Sequence, residues 1–196
     1  MKVYLIRHGI TDWNVAKRFQ GREDIELNAT GLEQAEECGR ALAGLDVDCV
    51  VTSPLKRAFV TAEKIVQYHK SADFEIMDNF IERDFGIFSG YTKAEREELR
   101  KKYPDEEPEP RKQVADRVIE GLSRLNRKYS DKKVVLVTHG GVIVSLLMHI
   151  SYAGLQSVFI DNVSVTEIEY NDNEIKVLRF NVSSDEFLNE CETVSE

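Results

Sequence analysis

Two short segments of this chain are apolar at every position, and they limit the possible folds more than any other feature. They are VYLI at residues 3–6 and VVLV at residues 134–137. A strand with one face in water alternates apolar and polar residues, whereas a strand covered on both faces does not. These segments therefore indicate central strands of a parallel sheet with helices on both sides.

Other segments extend this sheet. Apolar runs at 48–52 and 74–78 predict two further strands. Alternating segments at 164–170 and 174–180 flank Asn-Asp-Asn and predict an antiparallel hairpin at the sheet edge. Apolar residues between the strands recur with helical spacing. The expected fold is an α/β three-layer α/β/α sandwich with a mostly parallel mixed sheet.

The chain contains 196 residues, which fits one domain. We expect that domain to span 1–182 and an acidic C-terminal tail, with Phe187 and Leu188 as docking residues, to follow over 183–196. Helix starts are predicted at Thr30 and Thr92 by capping boxes. Ser53, with proline after it, predicts another start. The acidic, proline-rich run at 103–111 predicts a solvated loop.

The net charge of the chain limits the ligands and surfaces that it can bind. The net charge of −9 disfavours nucleic acid and anionic membrane surfaces, so an anionic ligand would need a local basic site. No apolar run reaches the roughly 18 residues of a membrane span. Three widely spaced cysteines and the lack of a signal sequence predict a cytoplasmic protein with reduced thiols. We expect a monomer or a homodimer.

Charged and polar residues follow the predicted strands. Arg7 and His8 come after the first strand, Arg57 lies in the first turn of the helix after the second, and His139 follows the strand at 134–137. Glu82 comes shortly after the third strand, with Asp84 as an alternative acid. Because ligands bind beyond the carboxyl ends of such strands, we expect these side chains to meet at one sheet edge.

This set of residues suits phosphoryl chemistry. Arginines clamp phosphate through their planar forks. A neutral imidazole can attack phosphorus, and neighbouring arginines keep it neutral by lowering its pKa. A second histidine can stabilise the developing charge, and a carboxylic acid can protonate the leaving oxygen. We therefore predict no metal and no cofactor, and no HxH or HExxH zinc motif occurs in the chain.

Four motifs in order carry a resemblance to a known family: RHGITDWN, QGREDIELNATGLEQA, TSPLKRA and VTHGG. Together they resemble the histidine phosphatase superfamily, the phosphoglycerate-mutase-like proteins, from residue 2 to about 170. The resemblance implies His8 as the phosphorylated nucleophile, a phosphate pocket of Arg7, Arg57 and His139, and Glu82 as proton donor. It also implies substrate contacts from Asn14, Gln20, Gly21 and the Gly140 backbone.

The resemblance leaves two enzyme activities open. Mutases of this family carry a long insertion between the acid and the second histidine, but only 57 positions (139 − 82) separate Glu82 from His139 here. This favours a metal-independent phosphatase acting on a small phosphorylated metabolite through a phosphohistidine. Arg83 resembles the mutase Glu-Arg pair, so a phosphoglycerate mutase is the alternative. A non-catalytic protein that binds phosphorylated ligands is another, although no pocket residue is lost.

Overall fold

The computed structural model describes residues 1–153, 159–172 and 174–187. Within this part of the chain, six strands form one sheet in the order β3-β2-β4-β1-β5-β6. The strands are Lys2–Arg7 (β1), Cys49–Thr52 (β2), Asp73–Ile76 (β3), Lys133–Thr138 (β4), Val165–Asn171 (β5) and Glu174–Val182 (β6). The first four are parallel to one another, and β5 and β6 form the antiparallel hairpin. The predicted α/β fold with a mixed sheet is confirmed.

Helices cover both faces of the sheet. They are Asp12–Val15 (α1), Ala29–Leu42 (α2), Lys56–Val66 (α3), Lys93–Lys102 (α4), Arg111–Lys128 (α5) and Gly140–His149 (α6). Successive side chains of β1 enter two separate cores, because neighbouring residues of a strand point to opposite faces. Val3 and Leu5 pack with α5 and α6, whereas Tyr4 and Ile6 pack with α2 and α3.

Two predicted helix starts are wrong. The N-cap of α2 is Asn28, whose side chain accepts a hydrogen bond from Gly31 N at 2.9 Å. Asn28 takes the capping role two residues before Thr30, because asparagine is as good an N-cap as threonine. Helix α3 begins at Lys56, and Ser53 makes other contacts described below. The capping box at Thr92 is confirmed.

The acidic loop is solvated only in part. Residues 103–107 are exposed, but Pro108 is buried. The Glu109 carboxylate accepts hydrogen bonds from Arg117 Nε at 3.0 Å and from Asp84 N at 3.0 Å. The sequence pattern did not reveal this because the arginine partner lies on the next helix. The prediction of a wholly solvated loop is therefore wrong at its C-terminal end.

The beginning of the predicted tail packs on the domain. Residues 184–187 are helical, and the Phe187 ring is fully buried, edge-on to Tyr4 with 5.5 Å between ring centroids. The expected docking of Phe187 is confirmed, and Leu188 with the rest of the tail lies outside the described residues. None of the helices in the described ranges has the length and apolar character needed to cross a membrane.

Candidate active site

The two histidines that follow β1 and β4 lie side by side. These strands are adjacent and parallel, with Arg7 opposite Thr138 in the register. The backbone N–H of His8 continues the pairing by donating to Thr138 O at 3.0 Å. The ring centroids of His8 and His139 are 5.2 Å apart. The strand ends thus bring these residues together as the sequence predicts.

The hydrogen bonding of His8 defines its tautomer. Its Nδ1 lies 2.7 Å from Gly9 O, and a carbonyl oxygen can only accept, so Nδ1 carries the proton. Nε2 then has a free lone pair. Burial, followed by the positive charges of Arg57 and Arg7, holds the pKa of His8 well below its usual value. His8 is therefore a neutral imidazole at neutral pH, with Nε2 available as a nucleophile.

Two buried arginines flank this imidazole. Arg57 is fully buried and donates to Gly21 O at 2.8 Å and to Glu23 O at 2.7 Å. Arg7 donates to Ile160 O. Burial lowers the pKa of Arg57 to about 10, which still leaves it charged at neutral pH. In both arginines the Nε–H is buried without a hydrogen-bond partner. Such orphaned donors are rare in proteins and suit a site that binds an anion.

His139 is positioned by a residue that sequence reasoning assigned to another role. Its Nε2 lies 2.7 Å from Ser53 Oγ, and its Nδ1 is buried without a partner. Burial, with the charge of Arg57 next in importance, holds the pKa of His139 well below its usual value. The sequence predicts Ser53 as a helix cap, and no local sequence signal links it to a residue 86 positions away.

The Glu82 carboxylate is held at the start of α6. Oε1 accepts from Arg83 N at 2.7 Å, and Oε2 accepts from Gly141 N at 3.3 Å. A Cβ atom at Gly141 would lie only 2.5 Å from Glu82 Oε1, so any larger residue here would displace the carboxylate. Glu82 faces the cavity beside His8. The alternative acid, Asp84, instead caps the backbone of Gly86 at 2.7 Å.

The side chains of Arg7, His8, Arg57 and Glu82 border a cavity of about 650 Å³. Its wall contains nine basic residues and two acidic ones, although the whole chain carries a net charge of −9. The basic residues are Arg7, Lys17, Arg18, Arg57, Arg83, Lys93, Arg96, Arg100 and Arg111. The local basic site that an anionic ligand would require is thus present.

Three of the four predicted substrate contacts line this cavity: Asn14, Gln20 and Gly140. Gln20 is buried, and its Oε1 has no hydrogen-bond partner. Gly21 differs, because its carbonyl accepts from Arg57 and it is not among the lining residues. Gly21 therefore holds Arg57 in position through its carbonyl. His139 is also fully buried and is not among the lining residues, although its ring lies 5.2 Å from that of His8.

Comparison with known proteins shows the family of this chain. The sequence model of the histidine phosphatase superfamily (branch 1) matches residues 3–183. The chain belongs to the histidine phosphatase superfamily.

Relatives of this histidine phosphatase include both phosphatases and mutases. The uncharacterized phosphatase PhoE of Bacillus subtilis is 41% identical over 187 residues, which cover 93% of this chain and 95% of PhoE. A 2,3-bisphosphoglycerate-dependent phosphoglycerate mutase of Parvibaculum lavamentivorans is 31% identical, covering 82% and 84%. Among solved structures, a mycobacterial glucosyl-3-phosphoglycerate phosphatase in complex with VO3 superposes with a TM-score of 0.79, at 26% identity and 93% and 99% coverage.

In this histidine phosphatase, a segment before β5 hydrogen-bonds the backbone of the site residues, and the sequence did not predict these contacts. Asn162 Nδ2 donates to the backbone oxygen of His8 at 2.7 Å, and Val163 N donates to Arg7 O at 2.9 Å. Val163 adopts a φ of +52°, which is unfavourable for a β-branched residue. In sequence, this segment resembles an ordinary turn before β5. Its contacts hold the backbone of both site residues at the end of β1.

Proposed function

We propose that this protein is a phosphatase that hydrolyses small phosphomonoesters through a phosphohistidine at His8. The observation that carries the proposal is the state of His8: a neutral imidazole with its Nδ1 proton held by Gly9 O and its Nε2 facing a cavity between two buried arginines. This is the form in which a histidine attacks phosphorus.

In the first step, His8 Nε2 attacks the phosphorus atom and the bond to the leaving oxygen breaks. Arg7 and Arg57 stabilise the phosphoryl oxygens, since their unpaired Nε–H groups are available to an anion. A protonated Glu82 donates its proton to the leaving oxygen. The products are the phosphohistidine and an alcohol.

In the second step, water attacks the phosphorus atom and the P–N bond breaks. The Glu82 carboxylate accepts the proton from the attacking water, which returns the acid to its starting form. The electron pair of the P–N bond returns to His8 Nε2, and inorganic phosphate leaves. Both steps use only the side chains of this chain, so the proposed mechanism requires no metal ion.

The interval between Glu82 and His139 favours hydrolysis over isomerisation, because its elements leave no additional segment to cover the cavity. That interval consists of a 3-10 helix at Gly86–Phe88, α4, the loop after it, α5 and β4. It contains no further segment to close over the cavity and exclude water from the phosphohistidine. The mutase relatives and Arg83 keep phosphoglycerate mutase as the second candidate.

The test compares both reactions on one substrate. 3-Phosphoglycerate is supplied to the wild type and to His8→Ala, and the release of inorganic phosphate and the formation of 2-phosphoglycerate are measured together. We expect phosphate release to dominate in the wild type and to be lost in His8→Ala. Isomerisation faster than hydrolysis would establish the mutase, and ligand binding without turnover of any phosphomonoester would favour the non-catalytic alternative.

A further inference from the structure

The cavity wall contains a second group of basic residues, apart from Arg7 and Arg57. Helix α4 contributes Arg96 and Arg100 on successive turns, and Arg83 follows the proposed acid. A phosphomonoester carries about two negative charges near neutral pH, and Arg7 and Arg57 balance them at the transferred group. The additional arginines therefore exceed what a single phosphoryl group requires.

These arginines are stacked on aromatic rings. The Arg96 guanidinium carbon lies 3.9 Å from the centroid of Phe19, 4.9 Å from Phe85 and 5.5 Å from Phe88. Arg83 lies 5.4 Å from the Phe85 centroid and Arg100 lies 5.7 Å from that of Phe88. We call these six residues the arginine–phenylalanine cluster. Ring faces orient a guanidinium but do not use its in-plane hydrogen-bond donors.

Arg96 is held in this cluster without a directly contacting carboxylate among the described residues, and Glu107 acts on it only from a distance. Its Nε is buried with no hydrogen-bond partner, and no ion pair to Arg96 occurs among the described residues. Burial and the like charges of Arg100 and Arg83 lower the pKa of Arg96 to about 10. Arg100 lies 3.5 Å from Glu107, and Arg83 Nε donates to Glu109 O at 2.6 Å. Arg96 is thus an oriented cation with a free donor at the cavity wall.

We propose that the arginine–phenylalanine cluster is a second anion-binding subsite. The substrate would then carry a carboxylate or a second phosphate in addition to the phosphoryl group that His8 receives. This inference rests on the proposed function for the placement of that phosphoryl group. The second anionic group relieves the mutual repulsion of the arginines and accepts from the unpaired Nε–H of Arg96.

Equilibrium binding tests the subsite without any turnover. Isothermal titration of His8→Ala protein with 3-phosphoglycerate and glycerol 3-phosphate compares two ligands that differ only by a carboxylate in place of a hydroxymethyl group. A second pair, fructose 1,6-bisphosphate and fructose 6-phosphate, differs by a phosphate. In at least one pair, we expect the ligand with the additional anionic group to bind about 10- to 100-fold more tightly than the ligand without it. This is the range for a charge-assisted hydrogen bond. Which pair shows the preference identifies the anionic group.

Variants then assign the preference to Arg96. In the His8→Ala background, Arg96→Met keeps an apolar stem against the rings and should bring the affinity ratio close to one, while Arg96→Lys should retain part of it. Lys101→Met is the matched control, because Lys101 lies on the same helix, is 72% exposed and pairs with Glu98. The control should leave the ratio unchanged.

Two results would overturn the subsite. The first is equal affinity within both ligand pairs in the His8→Ala protein. The second is an equal loss of preference in Arg96→Met and Lys101→Met, which would indicate long-range charge instead of a local contact. If the wild type hydrolyses none of these ligands, the proposed phosphatase function is refuted. The subsite is not affected by that result, because it is tested by the ratios of binding affinities.

Discussion

The contact between Gly141 and Glu82 allows a sharp test of the proposed acid. In Gly141→Ala, the new Cβ would lie 2.5 Å from Glu82 Oε1. A Cβ needs at least about 3.0 Å, and about 3.4 Å for an ordinary contact, so the carboxylate must move by about 0.5 to 0.9 Å. A displacement near 1 Å can lower a rate about 100-fold, and a general acid contributes about 100- to 10,000-fold. We therefore expect about a 100-fold loss of kcat.

The size of the loss should depend on the leaving group. An alkyl phosphate such as glycerol 3-phosphate needs a proton on its departing oxygen, whereas p-nitrophenol leaves readily as an anion. Gly141→Ala should therefore lower kcat/KM for glycerol 3-phosphate about 100-fold and kcat/KM for p-nitrophenyl phosphate much less. Steady-state kinetics with both substrates, with circular dichroism to verify folding, measures this difference.

Two other glycines, one adjacent and one elsewhere in the chain, provide controls for this substitution. A Cβ at Gly140 would meet Arg7 Nε at 3.5 Å, an ordinary contact, so Gly140→Ala should lose less activity than Gly141→Ala. A Cβ at Gly44 would meet nothing within 4 Å, so Gly44→Ala should behave as the wild type. Unchanged glycerol 3-phosphate turnover in Gly141→Ala would refute the clamping of Glu82 by α6. An equal loss of kcat/KM with both substrates would refute its role as an acid, because kcat/KM reports the step in which the alcohol leaves and not the later hydrolysis that both substrates share.

Three further predictions concern His8: the effect of a neighbouring charge on its pKa, the hydrogen bond to its backbone, and its burial. Arg57→Met removes a positive charge that lowers the pKa of His8, so an NMR titration should show the imidazole gaining its proton at higher pH than in the wild type; an unchanged titration would contradict the assigned cause. Asn162→Ala removes the hydrogen bond to His8 O, so kcat should fall by about 5- to 10-fold, equivalent to about 1 kcal/mol, with KM nearly unchanged; a rise in KM alone would argue against a positioning role. Because the unfolded chain binds protons below about pH 6.5 that buried His8 does not, the free energy of unfolding should decrease as pH falls from 6.5 to 5.5, by about 1 kcal/mol for this histidine. Urea denaturation should show a weaker pH dependence in His8→Asn, and identical slopes would contradict the lowered pKa.

The sheet and its functional edge could be predicted because both depend on local patterns. Strands β1 and β4 lack alternation, which is a direct consequence of burial on both faces. Parallel strands end at the same edge, so the residues after them meet there. The proximity of His8 and His139 required no further information.

The supporting residues could not be predicted, because their partners are distant in sequence. Ser53 carries a good cap signal, and its hydroxyl does accept from Leu55 N at 3.4 Å, but it makes a shorter contact of 2.7 Å with His139. Asn162 contacts a residue 154 positions away. For Gly141, the sequence does not show that a carboxylate from another segment occupies the space of its missing side chain.

The arginine–phenylalanine cluster in the cavity wall could not be predicted from the sequence either. Helix α4 has a highly charged sequence with no fully buried residue, and such a pattern is typical of a solvated helix. Arg96 nevertheless stacks on rings from two other segments, including Phe19 in the loop before α2. A backbone hydrogen bond from Gly90 N to Phe19 O at 2.7 Å joins these segments. Only the three-dimensional arrangement makes the helix part of the cavity wall.

The most direct test of the central claim is to locate the phosphoryl group on the trapped enzyme. The wild type is mixed with a labelled phosphomonoester, quenched with alkali within milliseconds and analysed by peptide mapping and 31P NMR. Since Nδ1 of His8 is hydrogen-bonded to Gly9 O at 2.7 Å, we predict label on His8 alone, attached at Nε2. Label on His139, label on Nδ1 of His8, or turnover without any labelled histidine would contradict the account.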